Sequence, residues 1–186
     1  MRSNGTIREI KIHVEVLYHK REKNMKLRQE ILKVLEKNAR TEWKELAVLL
    51  DAPEEEIRNE VSAMEEEGVI CGYHTIINRE RTEEEKVSAL IEVRVTPQRG
   101  MGFDSIAERI YKFPEVDSVY LMSGAYDLMV ILTCKNMQEV ANFVSMKLST
   151  LESVLSTATH FIMKRYKDHG SVLAKRYEDT RELITP

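Results

Sequence analysis

Apolar residues recur at three- and four-residue intervals through the first third of the chain, then change to alternation with a period of two. From Met25, the residues Leu27, Ile31, Val34 and Leu35 fall on one stripe of KLRQEILKVLEKN, with polar residues opposite, which predicts a helix. Thr41 is suited to cap a second helix, EWKELAVLL, in which Trp43, Leu46, Ala47 and Leu50 repeat at three and four. A break at Asp51 and Ala52 leads to Pro53, a residue favoured in a first helical turn. EEEIRNEVSAMEEEG then places Ile57, Val61 and Met64 on one side before Gly68 terminates the helix. Three short helices with a tight turn between the second and third describe a helix-turn-helix. Glu54, Glu55 and Glu56 suit the positive N-terminus of the third helix. A generic helical bundle carries the same periodicity and stays open at this point.

After Gly68 the pattern becomes VICGYHTIIN, a strand or extended hinge, followed by RERTEEEK, a charged linker or solvated turn. Beyond it VSALIEVRV predicts a strand. GFDSIAERIYKF predicts a helix with Phe103, Ile106, Ala107 and Ile110 inward, and VDSVYLMS and YDLMVILT predict two more strands. Asn136 opens MQEVANFVSMKLSTL, a helix with Val140, Phe143, Val144 and Leu148 on one face, and VLSTATHFIMKRY closes the set. The order βαββαβ is that of a ferredoxin-like domain, an antiparallel sheet with both helices on one face. The expected division is an extension over 1–24, a helix-turn-helix over 25–70, a hinge and linker over 71–86, the ferredoxin-like domain over 87–168 and a tail over 169–186.

Both faces of the third predicted strand are apolar, because Tyr126, Leu128, Val130 and Leu132 alternate with Met129 and Ile131. The second repeats the arrangement with Tyr120 and Met122 against Val119 and Leu121. Helices cover one face, so the other is expected to be covered by a second copy of the chain in a homodimer.

Composition narrows the classes further. The 186 residues are 42% hydrophobic and 32% charged, the balance of a globular chain. No run approaches the roughly 18 apolar residues of a membrane span, and the start, MRSNGTIREIK, lacks the apolar centre of a signal peptide. A cytoplasmic chain with no membrane partner is expected. Cys71 and Cys134 lie far apart without clustered histidines, which fits reduced thiols and predicts neither a metal nor another cofactor. The formal net charge of −3 stands against the phosphate neutralisation that drives DNA affinity.

Across roughly residues 25–170 the chain resembles the Lrp/AsnC (feast/famine) family of transcription regulators. ILKVLEKNARTEWKELAVLLDAPEEEIRNEVSAMEEEGVI resembles that family's helix-turn-helix down to its EEEGVI ending. SGAYDLMV, from Ser123 to Val130, resembles its Gly-x-x-Asp signature between the second and third strands of the sensing domain. The resemblance implies an α+β chain: a winged-helix-like helix-turn-helix domain plus a ferredoxin-like βαββαβ domain of the RAM/AsnC type. It also implies double-stranded DNA as partner, and dimers or higher, often octameric, assemblies that bind an amino acid or related metabolite between dimers.

In that reading Gly124 supplies a positive φ to a tight turn, and Asp127 aims its carboxylate at a ligand ammonium group. A turn-capping acid bonded to its own backbone is an equal reading of Asp127. Tyr120, Met122, Thr157 and Thr159 are further candidates to line the pocket, with ordinary packing as the alternative for each. His160 reads as a sheet histidine.

The recognition helix departs from the family in being acidic, with seven glutamates between Glu54 and Glu67 against Arg58 alone. Base readout is expected from Arg58, Asn59 and Ser62, with Lys37, Arg40 and Lys44 on phosphates. Weak heads on one assembly can gain avidity from a shared DNA segment. Residues 1–24 are mildly basic, which suits either a DNA-contacting arm or a vestigial extension, and Leu183 and Ile184 are apolar anchors in the tail. Two rivals remain. One is a ligand-sensing module whose acidic head binds protein. The other is an enzyme of the siroheme decarboxylase plan, although the strand turn has Ser123, Gly124, Ala125 and Asp127 where that reading expects histidine and asparagine.

Overall fold

The computed structural model describes residues 22–96 and 102–174, which divide between two compact units meeting at Thr75 and Ile76. The first unit contains α1 (residues 22–37), α2 (Trp43–Leu50) and α3 (Glu54–Glu66). Its core is Leu27, Ile31, Leu46, Ile57, Val61 and Met64, one stripe from each helix, with Trp43, Ala47 and Leu50 packed around it. These are the positions picked out by the 3.6-residue period.

Capping differs from expectation at α2. Thr41 sends its hydroxyl back to the Asn38 carbonyl, 2.8 Å away, and Glu42 occupies the N-cap without a side-chain bond. Asp51 ends the helix in the left-handed region with φ 47°, a conformation that a short polar side chain tolerates. Pro53 then sets the extended approach to α3, and Gly68, at φ 71°, takes the left-handed position beyond that helix. Residues 71–78 form no strand, so VICGYHTIIN continues as an extended segment in which Val69, Tyr73, Ile76 and Ile77 stay exposed. A lone extended segment has no second strand to satisfy its backbone, and among the described residues none pairs with it.

Helix α1 starts before Met25, and its first turns are tied to α3. Asn24 bonds Glu60 at 3.0 Å, and the Arg28 guanidinium bridges Glu60 at 2.6 Å and Glu67 at 2.6 and 2.9 Å. Hydrogen bonds from Arg28 hold the Glu67 carboxyl below its usual range.

The second unit contains β1 (Val87–Val95), α4 (Asp104–Tyr111), β2 (Val116–Leu121), β3 (Leu128–Cys134), α5 (Met137–Phe143) and β4 (Val154–Phe161). All sheet pairings are antiparallel in the order β2-β3-β1-β4, the ferredoxin-like arrangement. Ala89, Ile91, Val93 and Val95 of β1 and Leu128, Val130, Leu132 and Cys134 of β3 are buried on the helix-covered face. Ile106 and Ile110 of α4 and Val140 and Phe143 of α5 complete that core, which Leu148 extends from a widened final turn over Val144–Leu148. Asn136 caps α5 by accepting from the Glu139 amide at 2.9 Å, while Glu139 accepts from the Lys135 amide at 3.0 Å.

Helix α5 is pinned further by Lys147, which pairs with Glu115 and sits over the rings of Phe113 and Phe143. A short hairpin, β5 (Lys167–Asp168) and β6 (Ser171–Val172), turns through His169 and Gly170, both at positive φ. It spans the boundary between 168 and 169, where the sequence pattern ends the domain and begins the tail. The basic residues of segment 1–21, together with Leu183 and Ile184, lie outside the described residues.

Leu132 is fully enclosed, so Leu132→Ala is expected to cost about 2–5 kcal/mol in denaturant unfolding. The Arg28 bridge makes a second expectation. An acid with a depressed folded value contributes stability above its ordinary range and loses that contribution as pH falls through it. Arg28→Gln should therefore lower the melting temperature near about pH 7, with the gap to wild type closing towards about pH 3.

Candidate functional site

Only one stripe of α3 is committed to the core. Ile57, Val61 and Met64 are buried, while Glu55, Asn59, Ser62 and Glu66, spaced four, three and four on the opposite side, are exposed. A helix that keeps a continuous polar ridge clear of its own domain has the shape of a groove-reading element. Asn59 and Ser62 lie on this ridge. Arg58 lies at its edge and is restrained: Nε and Nη2 donate to Glu54 Oε1 at 3.0 and 2.6 Å, and the guanidinium lies 5.0 Å from the centre of the Trp43 ring.

Lys37, Arg40 and Lys44 are exposed along the connection from α1 into α2, and the Arg58–Trp43 contact brings the edge of α3 to the first turn of α2 beside Lys44. The acidity of α3 is less free than its composition suggests. Glu54 is engaged by Arg58, Glu60 and Glu67 by Arg28, and Glu65 by the Tyr73 hydroxyl at 2.7 Å. Glu55, Glu56 and Glu66 make no such bond among the described residues. The role of Arg28 was not legible in periodicity, because the i to i+4 spacing that signals a helix pair cannot reveal a bridge between residues 28 and 67.

In the second unit the turn from Ser123 to Asp127 joins β2 to β3. It is fastened to the end of β1 by three bonds: Asp127 amide to Val93 carbonyl at 3.1 Å, Val95 amide to Asp127 Oδ2 at 2.8 Å, and Arg94 Nε to Ala125 carbonyl at 2.8 Å. The Met122 amide closes it onto the Asp127 carbonyl at 2.8 Å. Asp127 thus caps backbone, but that of Val95 on β1 and not that of its own turn, and does so through one oxygen. Among the described residues no hydrogen bond ends on Oδ1, which leaves that oxygen able to accept from a ligand.

Gly124 does not take the expected positive φ. The connection runs over five bent residues instead of two, so no single residue has to turn left-handed.

The strand register separates the remaining candidates. Tyr120 pairs with Met129 on the face away from the helices, and Met122 continues that alternation. Thr157 and Thr159 pair with Val93 and Ile91, which face the helices. Strands β2 and β4 are opposite edges of the sheet, three strand spacings or about 14 Å apart. One subunit therefore does not bring Tyr120 and Met122 together with Thr157 and Thr159, because β3 and β1 intervene. Only Met122, Gly124 and Asp127 cluster at the turn.

His160 lies against Glu92, Nε2 to Oε1 at 3.3 Å, on the face away from the helices. Arg94, a lone cation alternating with Val93 and Val95, is a residue fastened to this turn that the sequence pattern did not single out. Cys134 is buried with its thiol pushed up by burial and by Glu139, Glu115 and Asp117, and Cys71 is exposed. Among the described residues no three His, Cys, Asp or Glu side chains are grouped to hold a metal, and no helix is long and apolar enough to cross a membrane.

The chain is similar to known proteins over most of its length. The family model for the Lrp/AsnC ligand binding domain matches residues 88–172. The chain is 47% identical over 158 residues to the uncharacterised HTH-type transcriptional regulator YugG of Bacillus subtilis, covering 84% of this chain and 95% of that one. It is 31% identical over 137 residues to the HTH-type transcriptional regulator LrpA of Pyrococcus abyssi, covering 74% and 94%. Among solved structures, the transcriptional regulator NMB0573 of Neisseria meningitidis in complex with L-Met superposes at a TM-score of 0.61 with 22% identity, covering 77% and 92%. AsnC of E. coli superposes at 0.57 with 23% identity, covering 75% and 92%. From the sensing-domain match and the extent of identity to these regulators, the chain belongs to the Lrp/AsnC family.

Proposed function

We propose that the chain is a sequence-specific DNA-binding transcriptional regulator whose assembly or DNA affinity responds to an amino acid or related small metabolite. The observation that carries this reading is the exposed ridge of α3, which a three-helix core leaves free while fixing its direction. Asn59 and Ser62 contact base edges, Arg58 flanks them, and Lys37, Arg40 and Lys44 hold phosphates. Engagement of Glu54, Glu60, Glu65 and Glu67 lowers the electrostatic opposition to DNA without removing it, so a single head binds weakly and several heads on one assembly supply avidity.

The sensing site is the Ser123–Asp127 turn, with Asp127 as acceptor for the effector's ammonium group and Tyr120, Met122 and Gly124 nearby. Thr157 and Thr159 reach such a site only from another subunit. The sheet face away from the helices carries Leu90, Tyr120, Met129 and Ile131, and a second copy of the chain covers it. Dimers of this kind assemble further. The L-methionine complex of the Neisseria regulator supports an amino acid as the effector class. The chain acts as a regulator and not as an enzyme, which its relatives support, and it works in the cytoplasm.

A second reading, a head that binds protein, is favoured by Val48 and Leu49, which are 83% and 59% exposed on α2. Selection of genomic fragments by the purified chain tests between the two, because recovered promoter DNA supports the regulator and its absence favours the protein-binding head. Affinity for a recovered fragment is expected to fall about tenfold or more between about 50 and 200 mM salt in a shift assay. In a thermal-shift screen of amino acids, the responding ligand should raise the melting temperature of wild type by mass action, and Asp127→Ala should lose that rise. Solution mass should equal two subunits or a multiple of two.

A further inference from the structure

Asp127 answers only half of what an amino acid presents. Its free Oδ1 suits an ammonium group, but the α-carboxylate of the same molecule needs a cation or a set of amides close by. Arg94 stands at that place. It is exposed on the face of β1 away from the helices, next to Val95, whose amide holds Asp127 Oδ2. The Arg94 Nε bond to the Ala125 carbonyl lays the guanidinium against the same five-residue turn. Nη1 and Nη2 make no hydrogen bond among the described residues, and Arg94 and Asp127 form no ion pair within 4.0 Å. Two opposite charges are thus fastened to one turn, each by a single bond to backbone, and held apart.

We infer that Arg94 is the carboxylate anchor of the effector site, taking the ligand's α-carboxylate on Nη1 and Nη2 while Asp127 Oδ1 takes its ammonium group. This rests on the turn being the sensing site as proposed above. A planar guanidinium suits the task because its paired N–H groups match a carboxylate bidentately. Among the described residues, the charged neighbour of Arg94 along this face of β1 is Glu92, which is turned to His160. Beside the charge pair, Tyr126 rests its hydroxyl on the Met129 sulfur at 3.9 Å, and Met129 lies opposite Tyr120. The arrangement selects free α-amino acids over their amides, because only the acid presents both charges.

The test is calorimetric titration of the full chain and its Arg94→Gln and Arg94→Lys variants. The titrants are the twenty amino acids and then the α-carboxamide of whichever binds wild type most tightly. Arg94→Gln is expected to weaken the acid about ten- to a hundredfold while leaving the amide within about twofold, and Arg94→Lys should restore part of the loss. Equal weakening of acid and amide would show that Arg94 only supports the turn, and unchanged binding of both would show that it plays no part; either overturns the assignment. If no amino acid binds wild type, the amino-acid reading fails first and the anchor falls with it.

Discussion

The second unit depends on β1, which with β3 forms the paired centre of the sheet and is the strand that holds β4. Its residues Ala89, Ile91 and Val93 each lie opposite a buried residue of β3, namely Leu132, Val130 and Leu128, and opposite Phe161, Thr159 and Thr157 of β4. A shift of one residue would move that whole set to the wrong face, so the hydrophobic pattern fixes the register strongly. The same register carries Val93, Arg94 and Val95 to the end where the Ser123–Asp127 turn is fastened. Core packing and site geometry are consequences of one alignment, since the side chains that hold β1 in place also set where Arg94 and Asp127 stand.

In the head, the comparable constraint is ionic. Helix α3 carries more negative charge than a DNA-reading helix should, and the structure engages much of it internally: Arg28 reaches from α1 to two turns of α3, while Arg58 and Tyr73 take Glu54 and Glu65. These pairs are largely exposed and individually modest. Their effect on function is spatial. They draw charge to the flanks of α3 and leave Asn59 and Ser62 on the outward ridge, although Glu55 and Glu66 share it.

Most of the architecture was legible in the order of residues. The three- and four-residue spacing of Leu27, Ile31, Leu46, Ile57, Val61 and Met64, and the alternation through VSALIEVRV and LMVILTC, follow from how helices and strands present side chains: those six residues are buried, as is every second residue from Ala89 to Val95 and from Leu128 to Cys134. The misreadings fell where local signals compete. Thr41 had two available partners and took the Asn38 carbonyl; Gly124 was read for a tight turn where the connection was longer; the His169–Gly170 hairpin was hidden in what resembled a tail.

What the sequence determined by itself was the set of elements, their order, and which face of each is apolar, because these are periodic properties of neighbours along the chain. What only the tertiary structure decided was which distant residues meet. The order β2-β3-β1-β4 sends Tyr120 and Thr157 to opposite edges, and Arg94 is carried to Ala125 and Arg28 to Glu67 by packing alone. The physical reason is that pairing across 31 or 39 residues is set by the burial of whole faces, and no spacing rule within a helix or strand records where those faces will come to rest.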